Sequence, residues 1–164
     1  MRKQKITPFL WFNNNAEEAM QFYAAIFKNA TFEIHGRWGA GGMAPAGSVM
    51  SATFELDGQK FMALNGGPMF PFTEAISFFV NCETQDEVDM FWEKLSEGGS
   101  QSRCGWLKDK FGLSWQIVPE ALGALLASKE PGVAKRVMEA MMQMNKIDIA
   151  GLNKAAALPA TPSS

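Results

Sequence analysis

The sequence predicts an α+β fold in which a βαβββ module of about 55 to 60 residues occurs twice and is followed by C-terminal helices. Three observations point there. Asp57-Gly58 separates two runs of alternating hydrophobicity, the strongest short-range signal for a hairpin. The pattern then restarts: an offset of about 69 lays Phe22-Tyr23 over Phe91-Trp92 and PFLW over SFFV, and one near 54 lays DGQKFMAL over FGLSWQIV. After residue 119 the alternation stops and helical spacing takes over, with Ala134, Val137, Met138, Met141 and Met142 as one apolar stripe.

The elements follow in order. KITPFLWF reads as a strand, and Asn15 as the N-cap of the helix AEEAMQFYAAIF, whose Ala19, Phe22, Tyr23 and Ile26 share a face. TFEIHGRW alternates with period two. The Gly/Pro-punctuated loop 39–48 separates it from VMSATFEL, and the hairpin returns the chain into QKFMALN. In the second copy AISFFVN is a strand, Thr84 with Glu87 forms a capping box, and Gly98-Gly99 ends the helix. Strands near 100–108 and DKFG as a turn lead into LSWQIV, with Lys108 and Asp109 expected as a solvated turn pair. EALGALLAS and the stretch 131–157 are helical, and the end of the chain is expected to be disordered. The domain reading is therefore a tandem module region at 1–119 (modules about 5–67 and 74–119), a helical extension at 120–155 and a tail at 156–164.

Composition bounds the function. At 164 residues and 47% hydrophobic, the chain buries roughly two-thirds of its unfolded surface. A net charge of -2 gives no basic footprint for a nucleic acid. No run of about 18 apolar residues is present, and MRKQKITPFL lacks a signal peptide's apolar middle, so a soluble, cytoplasmic protein is expected. His35 is the lone histidine, and Cys82 and Cys104 lack metal-ligand spacing, so both are expected as unpaired thiols.

PFLWFNNNAEEAMQFY and CGWLKDKFGLSWQIVP, followed by RVMEAMMQMNKIDIAGL, make residues 5 to 153 resemble the PhnB-like group, which bears the label 3-demethylubiquinone-9 3-methyltransferase. The doubled module is similar to the glyoxalase, bleomycin-resistance and dioxygenase superfamily, the vicinal oxygen chelate fold. That resemblance implies a curved eight-stranded mixed sheet around a cavity and, in enzymatic members, a divalent metal held by a residue early in the first strand and a Glu on the last strand of each copy. The matching positions are Pro8, Met62, Ser77 and Gln116, none of them an anionic or imidazole ligand. No metal or other cofactor is therefore expected.

Strand parity then sorts the side chains. Pro8, Leu10 and Phe12, then Met62 and Leu64, are expected to face the cavity, as are Ser51, Thr53 and Glu55. In the second copy Ser77, Phe79, Asn81, Ser114, Gln116 and Val118 do so, with Trp106 as a stacking wall. Phe9, Trp11, Phe61, Ala63, Phe78, Trp115 and Ile117 are expected in the core. His35 with Glu33, or Cys104, are the candidate catalytic residues; no nucleophile-base set is evident. The expected function is metal-free binding of a small hydrophobic or aromatic molecule by a homodimer. The alternative is an enzyme, either an isomerase or dioxygenase, or the methyltransferase of the label; GAGGMAPAG, however, runs between strands and opens no helix as a nucleotide-type glycine loop would.

Overall fold

A computed structural model describes residues 3–158. They divide between two compact units, Met1–Thr73 and Glu74–Ser164, each built on its own four-stranded sheet. The first runs β1 (Phe9–Phe12), α1 (Ala16–Ile26), β2 (Thr31–Arg37), β3 (Val49–Leu56) and β4 (Gln59–Asn65). The second runs β5 (Ser77–Cys82), α2 (Gln85–Ser96), β6 (Ser100–Gln101), β7 (Trp106–Lys108) and β8 (Ser114–Pro119). Strand order is β1-β4-β3-β2 in one and β5-β8-β7-β6 in the other, and in both the first and last strands pair in parallel while the rest are antiparallel. The α+β fold and the duplicated module are as the sequence predicts.

In the first unit α1 buries Ala16, Ala19, Met20 and Tyr23, and the sheet's buried residues include Phe54 and Phe61. Tyr23 stacks on Phe54 at 6.2 Å, and Phe54 on its cross-strand partner Phe61 at 5.0 Å. Each such ring contributes about 1.5–3 kcal/mol by leaving water. Asp57 and Gly58 both have positive φ, at 45° and 86°, as the tight hairpin turn requires. In the second unit α2 buries Val88, Trp92 and Leu95, and Trp115 meets Phe78 edge-on at 5.3 Å. Thr84 caps α2 as expected, accepting from the Glu87 N–H at 3.2 Å, while Glu87 Oε2 accepts from the Glu83 N–H at 2.9 Å.

Asn15 does not cap α1. Its side chain makes no capping bond, and the Ala16 N–H donates instead to Asn65 Oδ1 at 2.9 Å. A fully buried amide at the end of β4 thus ties sheet to helix, a long-range cap invisible to local pattern.

The extension forms three helices, α3 (Glu120–Leu126), α4 (Val133–Met142) and α5 (Ile149–Ala157). The expected continuous helical stretch 131–157 is therefore broken over 143–148. The helices share a small core of Val118, Leu122, Val133, Val137, Ile147 and Leu152. Met138 and Met142, from the predicted apolar stripe, remain largely exposed, at 40% and 53%. Arg136 closes the bundle by donating to the Ala155 and Ala156 carbonyls at 3.0 and 2.9 Å. α5 runs through Ala157, inside the tail expected from residue 156, and residues 159–164 lie outside the described residues.

Candidate functional site

Register fixes which side chains share a face. In the second unit Phe79, Gln116 and Trp106 lie opposite one another across β5, β8 and β7, and Ser77, Ser114, Lys108 and Ser100 form the next row across β5, β8, β7 and β6. The other face carries Trp115, Ile117 and Leu107 into the core, with half-buried Phe78 edge-on to Trp115. The parity expected for β5 and β8 therefore holds, with Val118 as the exception in burial. It shares the face of Gln116 but lies in the core of the C-terminal helices.

In the first unit the expected facing of β1 is one place out. Phe9 pairs with Met62, Leu10 with Ala63, Trp11 with Leu64 and Phe12 with Asn65. Leu10 and Phe12 are core residues at 5% and 1% exposure, while Phe9 and Trp11 share the outer face with Met62 and Leu64. The cause is loop length. Three residues, 13–15, join β1 to α1, whereas two, 83–84, join β5 to α2, so a count back through the helix shifts the strand by one and puts Thr7, rather than Pro8, opposite the role of Ser77. Ser51, Thr53 and Glu55 keep their expected face, with Thr53 directly beside Met62.

His35 also lies on that outer face, its Nε2 2.7 Å from Thr53 Oγ1. Glu33 sits opposite Thr53 in the β2–β3 register, but the partner of His35 is the threonine hydroxyl, which orients the ring without supplying charge. Cys104 is half-buried at a left-handed turn with φ 60°. Its N–H donates to the Met144 carbonyl at 2.8 Å. Cys82 is fully buried, and burial first, then the charge of Glu87, pushes its thiol up to about 11. Both cysteines are free. Maleimide labelling at pH 8 is expected to modify Cys104 at least tenfold faster than Cys82, since the raised Cys82 thiol holds only about one-hundredth of the thiolate an ordinary cysteine carries at that pH; equal rates, read by peptide mass spectrometry, would contradict the buried placement.

Gln116 Nε2 donates to Ser77 Oγ at 2.9 Å, so the glutamine in the last strand is held by the serine in the first. These two neutral groups satisfy each other and offer a divalent ion no charge. Among the described residues, no three His, Cys, Asp or Glu side chains converge.

Beside this pair lies a cavity of about 250 Å³, lined by Glu74, Ser100, Gln101, Ser102, Trp106, Leu107, Lys108 and Ser114. Lys108 is ion-paired with Glu74 rather than with the turn, and its ammonium holds the Glu74 carboxyl below the usual carboxylate range. Asp109, expected as solvated, is 3% exposed. Its Oδ1 accepts from the N–H groups of Phe111 and Leu113 at 2.9 and 3.1 Å, and its Oδ2 from Trp115 Nε1 at 2.9 Å. This carboxylate fixes the turn between β7 and β8, and so sets Lys108 and Ser114 side by side. Ser114 is 1% exposed and its hydroxyl has no partner among the described residues. A buried orphan hydroxyl costs about 1–3 kcal/mol, and here it stands at a cavity wall.

Sequence reasoning missed Glu74 and Ser100. Ser100 was recoverable by pairing the strands around Trp106, whereas nothing local connects Glu74 with Lys108.

Comparison with known proteins then places the chain. A family model described as 3-demethylubiquinone-9 3-methyltransferase matches residues 4–118. A solved structure from Bacillus cereus, a PhnB protein and candidate 3-demethylubiquinone-9 3-methyltransferase, is 39% identical with a TM-score of 0.66; the match covers 71% of this chain and 99% of that one. Protein PA1353 from Pseudomonas aeruginosa is 26% identical with a TM-score of 0.59, covering 72% of this chain and 98% of its own. No curated protein matches. The family match ends at residue 118, short of the 153 expected, so α3, α4 and α5 lie beyond it.

Proposed function

Because this chain belongs to the PhnB-like family described as 3-demethylubiquinone-9 3-methyltransferase, we propose that it binds a small molecule without a metal, on the outer face of β5, β8 and β7. The observation that carries this reading is the unpartnered hydroxyl of Ser114, a residue of the cavity wall: a buried polar group left without a partner beside a cavity calls for one that enters it. The Gln116–Ser77 pair supports it by spending, on each other, the groups an ion would use. The reading places the protein in the glyoxalase, bleomycin-resistance and dioxygenase superfamily, as a homodimer in the cytoplasm.

Methyl transfer, which the family's description names, finds little support in the chain. The glycine-rich loop lies between β2 and β3 and opens no helix, unlike a nucleotide-type cofactor turn. Elemental analysis of the purified protein is expected to give no stoichiometric divalent metal, and calorimetry with S-adenosylmethionine no heat. One ion per chain, or micromolar cofactor binding, would overturn the proposal in favour of an enzyme.

A further inference from the structure

The two rows on the outer face of the second sheet differ in chemistry. One is aromatic at both ends, with Trp106 and Phe79 flanking Gln116. The other is made of three serines and a lysine, namely Ser100, Lys108, Ser114 and Ser77. Strands lie about 4.8 Å apart, so the backbones of β7 and β5 are separated by about 9.6 Å with β8 as the floor between them. Half-buried Trp106 and Phe79, which is 59% exposed, therefore stand far enough apart to admit one ring over Gln116. The rows are about 7 Å apart along the strands, the reach of a ring and a two-carbon arm.

At the end of that reach the cavity offers donors. Lys108 brings an ammonium, and the Ser100, Ser102 and Ser114 hydroxyls line the same space, with Gln101 engaged elsewhere through its bond to Ser96. The sole negative charge in the lining is Glu74, whose side chain is 61% exposed, so water screens its ion pair with Lys108. A carboxylate entering the cavity can replace it on Lys108 and at the same time accept from the buried Ser114 hydroxyl, which Glu74 leaves unpaired. An ammonium in the same place would meet Lys108. The small volume, about 250 Å³, lies below that of pockets for drug-sized molecules, roughly 300–1,000 Å³, and suits the short acidic arm of an occupant whose ring lies between Trp106 and Phe79.

Resting on the binding reading above, we propose that the site takes a single-ring aryl carboxylate, its ring over Gln116 between Trp106 and Phe79 and its carboxylate on Lys108 and Ser114 in exchange for Glu74.

Calorimetric titration of the full chain with 3-phenylpropionate tests this, with propionate, 3-phenylpropionamide and 3-phenylpropylamine as comparators at equal ionic strength. The acid is expected to bind at least tenfold more tightly than any of the three. Lys108→Met is expected to weaken it at least tenfold and Ser114→Ala several-fold. Glu74→Gln, by freeing the ammonium, is expected to tighten it several-fold, a gain that misfolding cannot produce. If the amide or the amine binds as well as the acid and Ser114→Ala weakens it, the carboxylate assignment fails while the small-molecule site stands. If none of the aromatic probes binds, both fail.

Discussion

Asp109→Ala is expected to destabilise the protein by about 3–5 kcal/mol, because it strips partners from three donors at once. Trp115 Nε1 and the Leu113 N–H are buried, and the Phe111 N–H partly so; each buried donor left without an acceptor costs about 1–3 kcal/mol. For a chain of this size that corresponds to a fall of roughly 10 °C in Tm. Asp109→Asn separates the roles. Its remaining oxygen can still serve the two backbone N–H groups, but its NH2 faces the indole N–H, so a smaller loss, confined to the Trp115 contact, is expected. Thermal unfolding followed by circular dichroism measures both. A change within about 0.5 kcal/mol for the alanine variant would match an exposed turn residue and refute the buried network.

The second large effect lies at Gly105, where φ is +80° and the backbone is in the left-handed region. A Cβ there would stand 2.7 Å from the Ile117 carbonyl oxygen and 2.9 Å from Ile147 Cδ1. The conformation alone costs an ordinary residue about 1–2 kcal/mol, and the carbonyl cannot retreat because it belongs to a central strand. Gly105→Ala is therefore expected to cost about 3 kcal/mol or more. Gly112→Ala is the control, since Gly112 is also left-handed, with φ +88°, but has nothing within 4 Å of the added carbon; it should lose only the conformational part. Equal losses in the two variants, measured by urea unfolding, would show that the close approach at Gly105 carries no energy.

The sequence was most informative where the signal was local or periodic. Asp57-Gly58 located β3 and β4, whose observed limits match the predicted segments, and alternation in SWQIVP placed Gln116 and Trp115 on their observed faces. The misses share a physical cause, which is information held outside the segment being read. One extra residue in the loop before α1 reversed the facing of all four residues of β1. The cap of α1 comes from Asn65, some 50 positions away, and the partner of Lys108 is Glu74. Asp109 was misread because Asp in a turn usually meets water, and here the turn folds its own strand's indole over the carboxylate. On the outer face of the second sheet, the row of Trp106, Gln116 and Phe79 with Ser77 beside it was legible from parity, while the Lys108–Glu74 ion pair was not.

The appended helices have a bearing on Trp106 that goes beyond their own packing. The segment between α4 and α5 accepts the N–H groups of Cys104 and Gly105 on the Met144 and Asn145 carbonyls at 2.8 Å each, and Gln85 binds the same segment through the Ile147 carbonyl and the Ile149 N–H. Lys146 adds an ion pair to Asp89. The bracket thus reaches from α2 to the turn immediately before Trp106, using residues that begin after the span shared with the family. Cutting the chain back to that span would strand two backbone donors next to the indole and bare Val118 to water. The orientation of the Trp106 indole therefore rests on residues outside the span that matches the family, and can change with them while the sheet stays constant.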